Sequence, residues 1–180
     1  MQVPGSSSTI MFAHIGYRNI RAMLTAAVIA LVLISITLII ALRSWKYGLI
    51  SLIPNLIPVG VAFGLWAILD GEIGLALSVV ASVTLGIVVD DTIHFMSKYL
   101  RALREQQLSP EDAVRYAFHS VGVALLVTTI VLAIGFFILS LSHFKVNADL
   151  GIMTALTIII ALIIDFLLLP PILIKLEQHN

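Results

Sequence analysis

The sequence contains no cysteine, and only 11% of its residues carry charge. Without a thiol there is no disulfide staple, no thiolate metal site and no cysteine nucleophile. The charge that exists is balanced, ten Lys and Arg against ten Asp and Glu, and it is scattered along the chain. That removes the basic patch a nucleic-acid partner would need, and equally any surface built to attract acidic substrates. What fills the chain instead is apolar: 60% of the 180 residues are hydrophobic, with a mean hydropathy of +1.11. Soluble domains are about half apolar and about a quarter charged. This balance belongs to an integral membrane protein, and the long apolar runs make its class all-α.

A helix needs about 20 apolar residues to cross the hydrocarbon. Five stretches qualify, at about 22–42, 49–69, 73–96, 121–141 and 150–174, the last expected to stop at Pro170, Pro171 and Lys175. The predicted fold is a bundle of five transmembrane helices with a short cytoplasmic amphipathic helix. Residues 1–21 read as an extracytoplasmic remnant and a lead-in helix, 22–175 as the transmembrane domain and 176–180 as a cytoplasmic tail. The start, "MQVPGSSSTIMFAHIGYRNIRAML", is polar before its first apolar run, whereas a cleaved signal has a short basic region leading directly into one. No signal peptide is expected.

Basic residues accumulate on the cytoplasmic side of membrane proteins. One set of connections holds Arg43, Lys46, Lys98, Arg101, Arg104, Arg115 and Lys175, the other Arg18, Arg21 and Lys145. Seven against three puts the N-terminus outside and the C-terminus in the cytoplasm, in a multi-pass protein of the plasma (bacterial inner) membrane. The outer connections are then the N-terminal tail, the tight "DGEIG" turn and "SHFKVNAD". Between the third and fourth spans, "KYLRALREQQ" extends the third helix, and Ser109-Pro110-Glu111-Asp112 starts a new one. Ser109 fits the N-cap, Pro110 the first turn and Asp112 the reciprocal capping position. The amphipathic helix, 113 to about 120, is expected to lead directly into the fourth span. In the second span Pro54 and Pro58 lie four apart, and each removes a backbone hydrogen bond, so a kink is expected there.

The third span carries the informative anomaly. Ser78, Ser82, Gly86, Asp90 and His94 recur every four residues on one slowly winding face. Small residues at that spacing suit close helix packing, which is the reading for Ser78, Ser82 and Gly86. Asp90 is different, because a charge near the bilayer centre costs several kcal/mol and a plain hydrogen bond needs no charge. Asp91 points about 100 degrees around the helix from it. Both sit roughly 5 Å past the helix middle, too deep and too short to reach water freely. In the fifth span Asp165 lies at a similar depth.

No Lys or Arg lies within any of the five spans. Carboxylates taken out of water without a counter-charge, two of them adjacent, are expected to hold a proton part of the time near neutral pH. That is the behaviour of a proton carrier. Thr128, Thr129 and Thr92 offer hydroxyls to complete a relay with Asp90, Asp91 and Asp165, and His94, one turn below Asp90, can pass protons toward the cytoplasm.

These residues resemble a known family. "GIVVDDTIHF" matches the Gly-x-x-x-Asp-Asp signature of the resistance-nodulation-division (RND) superfamily, specifically its MMPL-like exporters and their relatives with a sterol-sensing type of membrane domain. "SLIPNLIPV" and "DFLLLPPIL" are supporting matches, and the likeness covers nearly the whole chain. It implies one transmembrane half that lacks its first helix and most of an inserted extracytoplasmic domain, the C-terminal half being suggested by where the chain stops. It further implies proton-driven export of lipids or other hydrophobic compounds, with Asp90 and Asp91 carrying the protons. Some relatives pair these with an intramembrane lysine; here hydroxyls, or the other half, must serve. The implied partners are the bilayer, a hydrophobic substrate, and the other transmembrane half or further copies of the chain. No cofactor, metal or nucleic acid is called for.

Two other readings compete. An intramembrane aspartyl protease would share a proton between Asp165 and one of the pair, but its Gly-x-Gly-Asp motif is missing and adjacent aspartates are unnecessary for that chemistry. A sterol- or lipid-sensing module would share the fold without moving substrate, and would not need the paired aspartates.

Overall fold

The computed structural model describes the backbone of residues 6–69 and 75–178; within these, the side chains of 6–20, 23, 24, 27, 69, 75–78 and 81 fall outside the description, as does the "DGEIG" connection. All the regular structure described is helical: α1 (Ser6–Leu42), α2 (Trp45–Ile50), α3 (Leu52–Leu69), α4 (Leu75–Glu105), α5 (Pro110–Ala117), a π-helical turn (Phe118–Gly122), α6 (Val123–Ser140) and α7 (Lys145–Gln178). Three helical stretches among the described residues are long and apolar enough to cross a membrane, Trp45–Ile68, Pro110–Ser140 and Lys145–Gln178, with a shorter apolar stretch at Val28–Leu42.

The local chemistry explains where the helices begin and break. At α5 the Asp112 N–H donates to Ser109 Oγ at 3.2 Å and the Ser109 hydroxyl returns a 2.9 Å bond to the Asp112 carboxylate, which closes the N-terminus as the Ser-Pro-Glu-Asp pattern predicts. Ala113, Val114 and Ala117 are buried under α5 while Glu111, Asp112 and Arg115 stay exposed, and the chain passes through the π turn into α6 without interruption. Arg43 ends α1 in the left-handed region (φ 49), with its N–H on the Ile40 carbonyl at 3.2 Å.

In the second apolar stretch the helical hydrogen-bond ladder lapses at Ser51, three residues before Pro54, while Ser51 itself keeps a helical backbone (φ −64, ψ −16) and its N–H bonds the Tyr47 carbonyl at 3.0 Å. Restarting at Leu52 places Pro54 in the first turn of α3, where its missing N–H costs nothing; Pro58 lies inside the helix. The Ser51 hydroxyl donates to the Gly48 carbonyl at 2.8 Å and holds the break.

The last helix departs from expectation, since α7 runs through Pro170 and Pro171 to Gln178. Its end is held from outside. Lys46 Nζ donates to the Leu176 carbonyl and the Tyr99 hydroxyl to that of Leu173, both at 3.3 Å, and the Tyr47 hydroxyl bonds the Glu177 carboxylate. Arg104 does the same for α1, reaching the Leu42 carbonyl at 3.1 Å. These bonds gather the ends of α1, α4 and α7, with α2, at one pole of the bundle.

The core is built around α7, which packs against α3, α4, α5 and α6. Seven of its buried residues, Gly151, Thr154, Ile158, Ala161, Asp165, Leu169 and Leu173, follow the three-and-four spacing of one helix face, and Met153, Ala155 and Thr157 widen the buried surface in its first half. One cluster of side chains, including Phe95, Met96 and Tyr99 of α4 with Leu38 and Leu42 of α1, seals the pole just described; a second, Ala62, Val80 and Met153, ties α3 and α4 to α7 nearer the other end. A Cβ at Gly151 would stand 2.5 Å from the Phe136 carbonyl oxygen and 2.6 Å from the Ser140 nitrogen, so α6 crosses α7 backbone to backbone there.

Candidate functional site

Three successive residues of α4 meet three different surroundings. The 100-degree step of the helix sends Asp90 outward, with 72% of its side chain exposed. Asp91 is half-buried, and Thr92 is fully buried against α3 and α7. Asp90 and Asp91 open on a groove of about 570 Å3 between α4 and the start of α6. Gly86, Ile87 and His94 complete its α4 wall, and Val121, Ala124, Leu125, Thr128 and Leu132 form the opposite one. The groove exists because α6 lies along α7 and reaches α4 chiefly through the π turn at its base.

No lysine or arginine lines this groove. His94 is its one potential cation, with Nε2 3.6 Å from Asp90 Oδ1, and the contact is an ion pair only while the imidazole is protonated. Thr128 stands on the facing wall, its hydroxyl bonded back to the carbonyls of Ala124 and Leu125 at 3.0 Å.

Behind the groove lies a second polar group. Thr92 Oγ1 is 2.7 Å from Asn55 Oδ1 on α3 and 3.2 Å from each carboxylate oxygen of Asp165 on α7. Asn55 and Asp165 are 1% and 3% exposed. The Asn55 amide in turn donates to the Ser51 carbonyl at 2.7 Å, at the break between α2 and α3. Three helices therefore meet on one threonine hydroxyl, and Asp91 is near enough for its charge to act on Asp165.

Asp90, Asp91, His94 and Thr128 thus share the groove, and Asp165 sits behind it on Thr92. Thr129 is not part of either group: it is buried on α6, and among the described residues its hydroxyl has no hydrogen-bond partner. Space is open where a Gly86 Cβ would stand, and Ser82 is exposed, because α6 leans away from this face; the Ser78 side chain lies outside the described residues. The close contacts fall at Gly151, and at Gly48, where a Cβ would stand 2.6 Å from Ile39 Cγ1. Sequence reasoning gave Asn55 no role, although it is the only side-chain amide in its apolar run. Among the described residues no cluster of three or more His, Cys, Asp or Glu stands close enough to hold a metal ion.

The described residues thus form a helical bundle with acidic groups on and behind an interhelical groove. The MMPL family model matches residues 3–177, and the chain belongs to the MMPL family. Membership makes it a membrane transport or sensing module of the RND superfamily. A membrane protein of Methanocaldococcus jannaschii is 30% identical over 151 residues, which cover 84% of this chain and 39% of that protein. The chain therefore spans well under half the length of this relative.

Proposed function

We propose that the chain is the membrane module of an exporter that moves lipids or other hydrophobic compounds at the expense of the proton gradient. The supporting observation is the position of Asp90 and Asp91: adjacent carboxylates, one exposed and one half-buried, on a groove without a lysine or arginine. Carboxyl groups in that setting exchange protons as access to water changes. His94 lies one turn toward the basic pole and hands protons on, while Thr128 solvates the pair from α6.

In this reading five helices cross the membrane: α1, α2 with α3, α4, α5 with α6, and α7. The pole that gathers Arg43, Lys46, Arg101, Arg104 and Lys175 faces the cytoplasm, and the N-terminus lies outside, in a bacterial inner membrane. The partner is a second transmembrane half or a further copy of the chain. The test is efflux of a fluorescent lipid from proteoliposomes containing the chain, alone and with a second transmembrane half. Gradient-dependent efflux in the parent and its loss in Asp90→Asn and Asp91→Asn is the expected outcome. Unchanged efflux in both variants removes the relay, and lipid binding without any efflux favours a sensor.

A further inference from the structure

Hydrogen counting on Thr92 leads past the carboxylate pair. The Ser51 carbonyl can only accept, so the Asn55 group 2.7 Å from it is the NH2, and Oδ1 is the atom that faces Thr92. Thr92 owns one hydrogen and has four oxygens around it: Asn55 Oδ1 at 2.7 Å, the Val88 carbonyl at 3.2 Å and both carboxylate oxygens of Asp165 at 3.2 Å. If Asp165 carries a proton, its O–H donates to Thr92, Thr92 donates to Asn55, and Asn55 donates to Ser51, so every buried group is satisfied. If Asp165 is ionised, the Thr92 hydrogen turns to the carboxylate and Asn55 Oδ1 is left without a donor in a site where it is 1% exposed.

We propose that Asn55 is a positioning residue through which the proton on Asp165 controls the break between α2 and α3, because Thr92 can bond Asn55 only while Asp165 donates to it. The proton moves between Asp165 and water or a neighbouring carboxyl, with no covalent chemistry. The hydroxyl of Thr92 reverses direction, and Asn55, with the Ser51 carbonyl it bonds, is tied to α4 through Thr92 or loses that tie. Asp91 on α4 is the charged group that bears on Asp165; α3 and α6 contain no ionisable residue, and those of α5 lie at the basic pole. Only the purpose of this switch rests on the export reading.

A chain free of cysteine suits the test. A nitroxide label on Leu49→Cys, an exposed α2 position, reports the break in lipid vesicles across a pH series. Infrared difference spectra on the same samples follow the carboxylic acid band of Asp165, assigned by its loss in Asp165→Asn. In the parent, label spectrum and band are expected to change over the same pH range. In Asn55→Leu the band still titrates and the label loses its pH response. In Asp165→Asn the amide donates to Thr92 as the acid did, so the label stays in its low-pH form throughout. A label that still follows pH in Asn55→Leu, a parent label that ignores pH, or an Asp165 band absent at every pH overturns the proposal. If Asn55→Leu does not fold, Asp165→Asn decides, and a label that responds to pH there is equally contrary. Neither signal needs transport, so failure of the export reading leaves both as expected.

Discussion

Thr92 is a small residue with a large share of the buried polar bonding. Replacing its hydroxyl by a methyl in Thr92→Val keeps the shape but leaves Asn55 Oδ1 and Asp165 without their shared partner. Leaving buried polar groups unsatisfied costs about 1–3 kcal/mol each, so a clear fall in resistance to unfolding by denaturing detergent is expected. No fall would mean that water replaces the hydroxyl. At this scale the sequence announces charges better than amides. Asp90, Asp91 and Asp165 stand out because an isolated carboxylate in an apolar run is expensive. Asn55 carries no such cost, and its partner is 37 positions away, a distance that only the packing of α3 on α4 closes. The sequence likewise does not separate Thr128 from Thr129, which the helix turns to different neighbours.

Between elements, close approach decides which glycines matter. A side chain at Gly151 runs into the α6 backbone, whereas one at Gly86 meets nothing within 4 Å. Gly151→Leu is therefore expected to lower stability by about 1–3 kcal/mol, the usual cost of overpacking. Gly86→Ala should change it by less than about 0.5 kcal/mol. The two variants, compared in the same unfolding assay, test whether α6 is fastened to α7 and free of α4; the reverse order of costs would place α6 on α4. Helix starts were legible where chemistry is local, as in the Ser109 cap. The passage of α7 through Pro170 and Pro171 was not, because the donors that hold its end, Lys46 and Tyr99, come from other helices. Nor does the sequence mark the π turn that opens the groove.

For the whole molecule, composition and run length already give an all-helical membrane protein, since both follow from the solvent and not from contacts. The orientation is a statement about charge and can be tested apart from transport. In an otherwise cysteine-free chain, Gln106→Cys should react with an impermeant maleimide only after the membrane is opened, and His143→Cys should react from outside intact cells. The opposite pattern would invert the bundle. The remaining claim, that Asp90 and Asp91 carry protons, is tested most directly by proton flux itself, read with a pH-sensitive dye trapped in proteoliposomes that hold the chain with a second transmembrane half. Under an imposed pH gradient and with lipid substrate present, the expected result is flux in the parent and in Gly86→Ala and none in Asp91→Asn; equal flux in the parent and Asp91→Asn would contradict it.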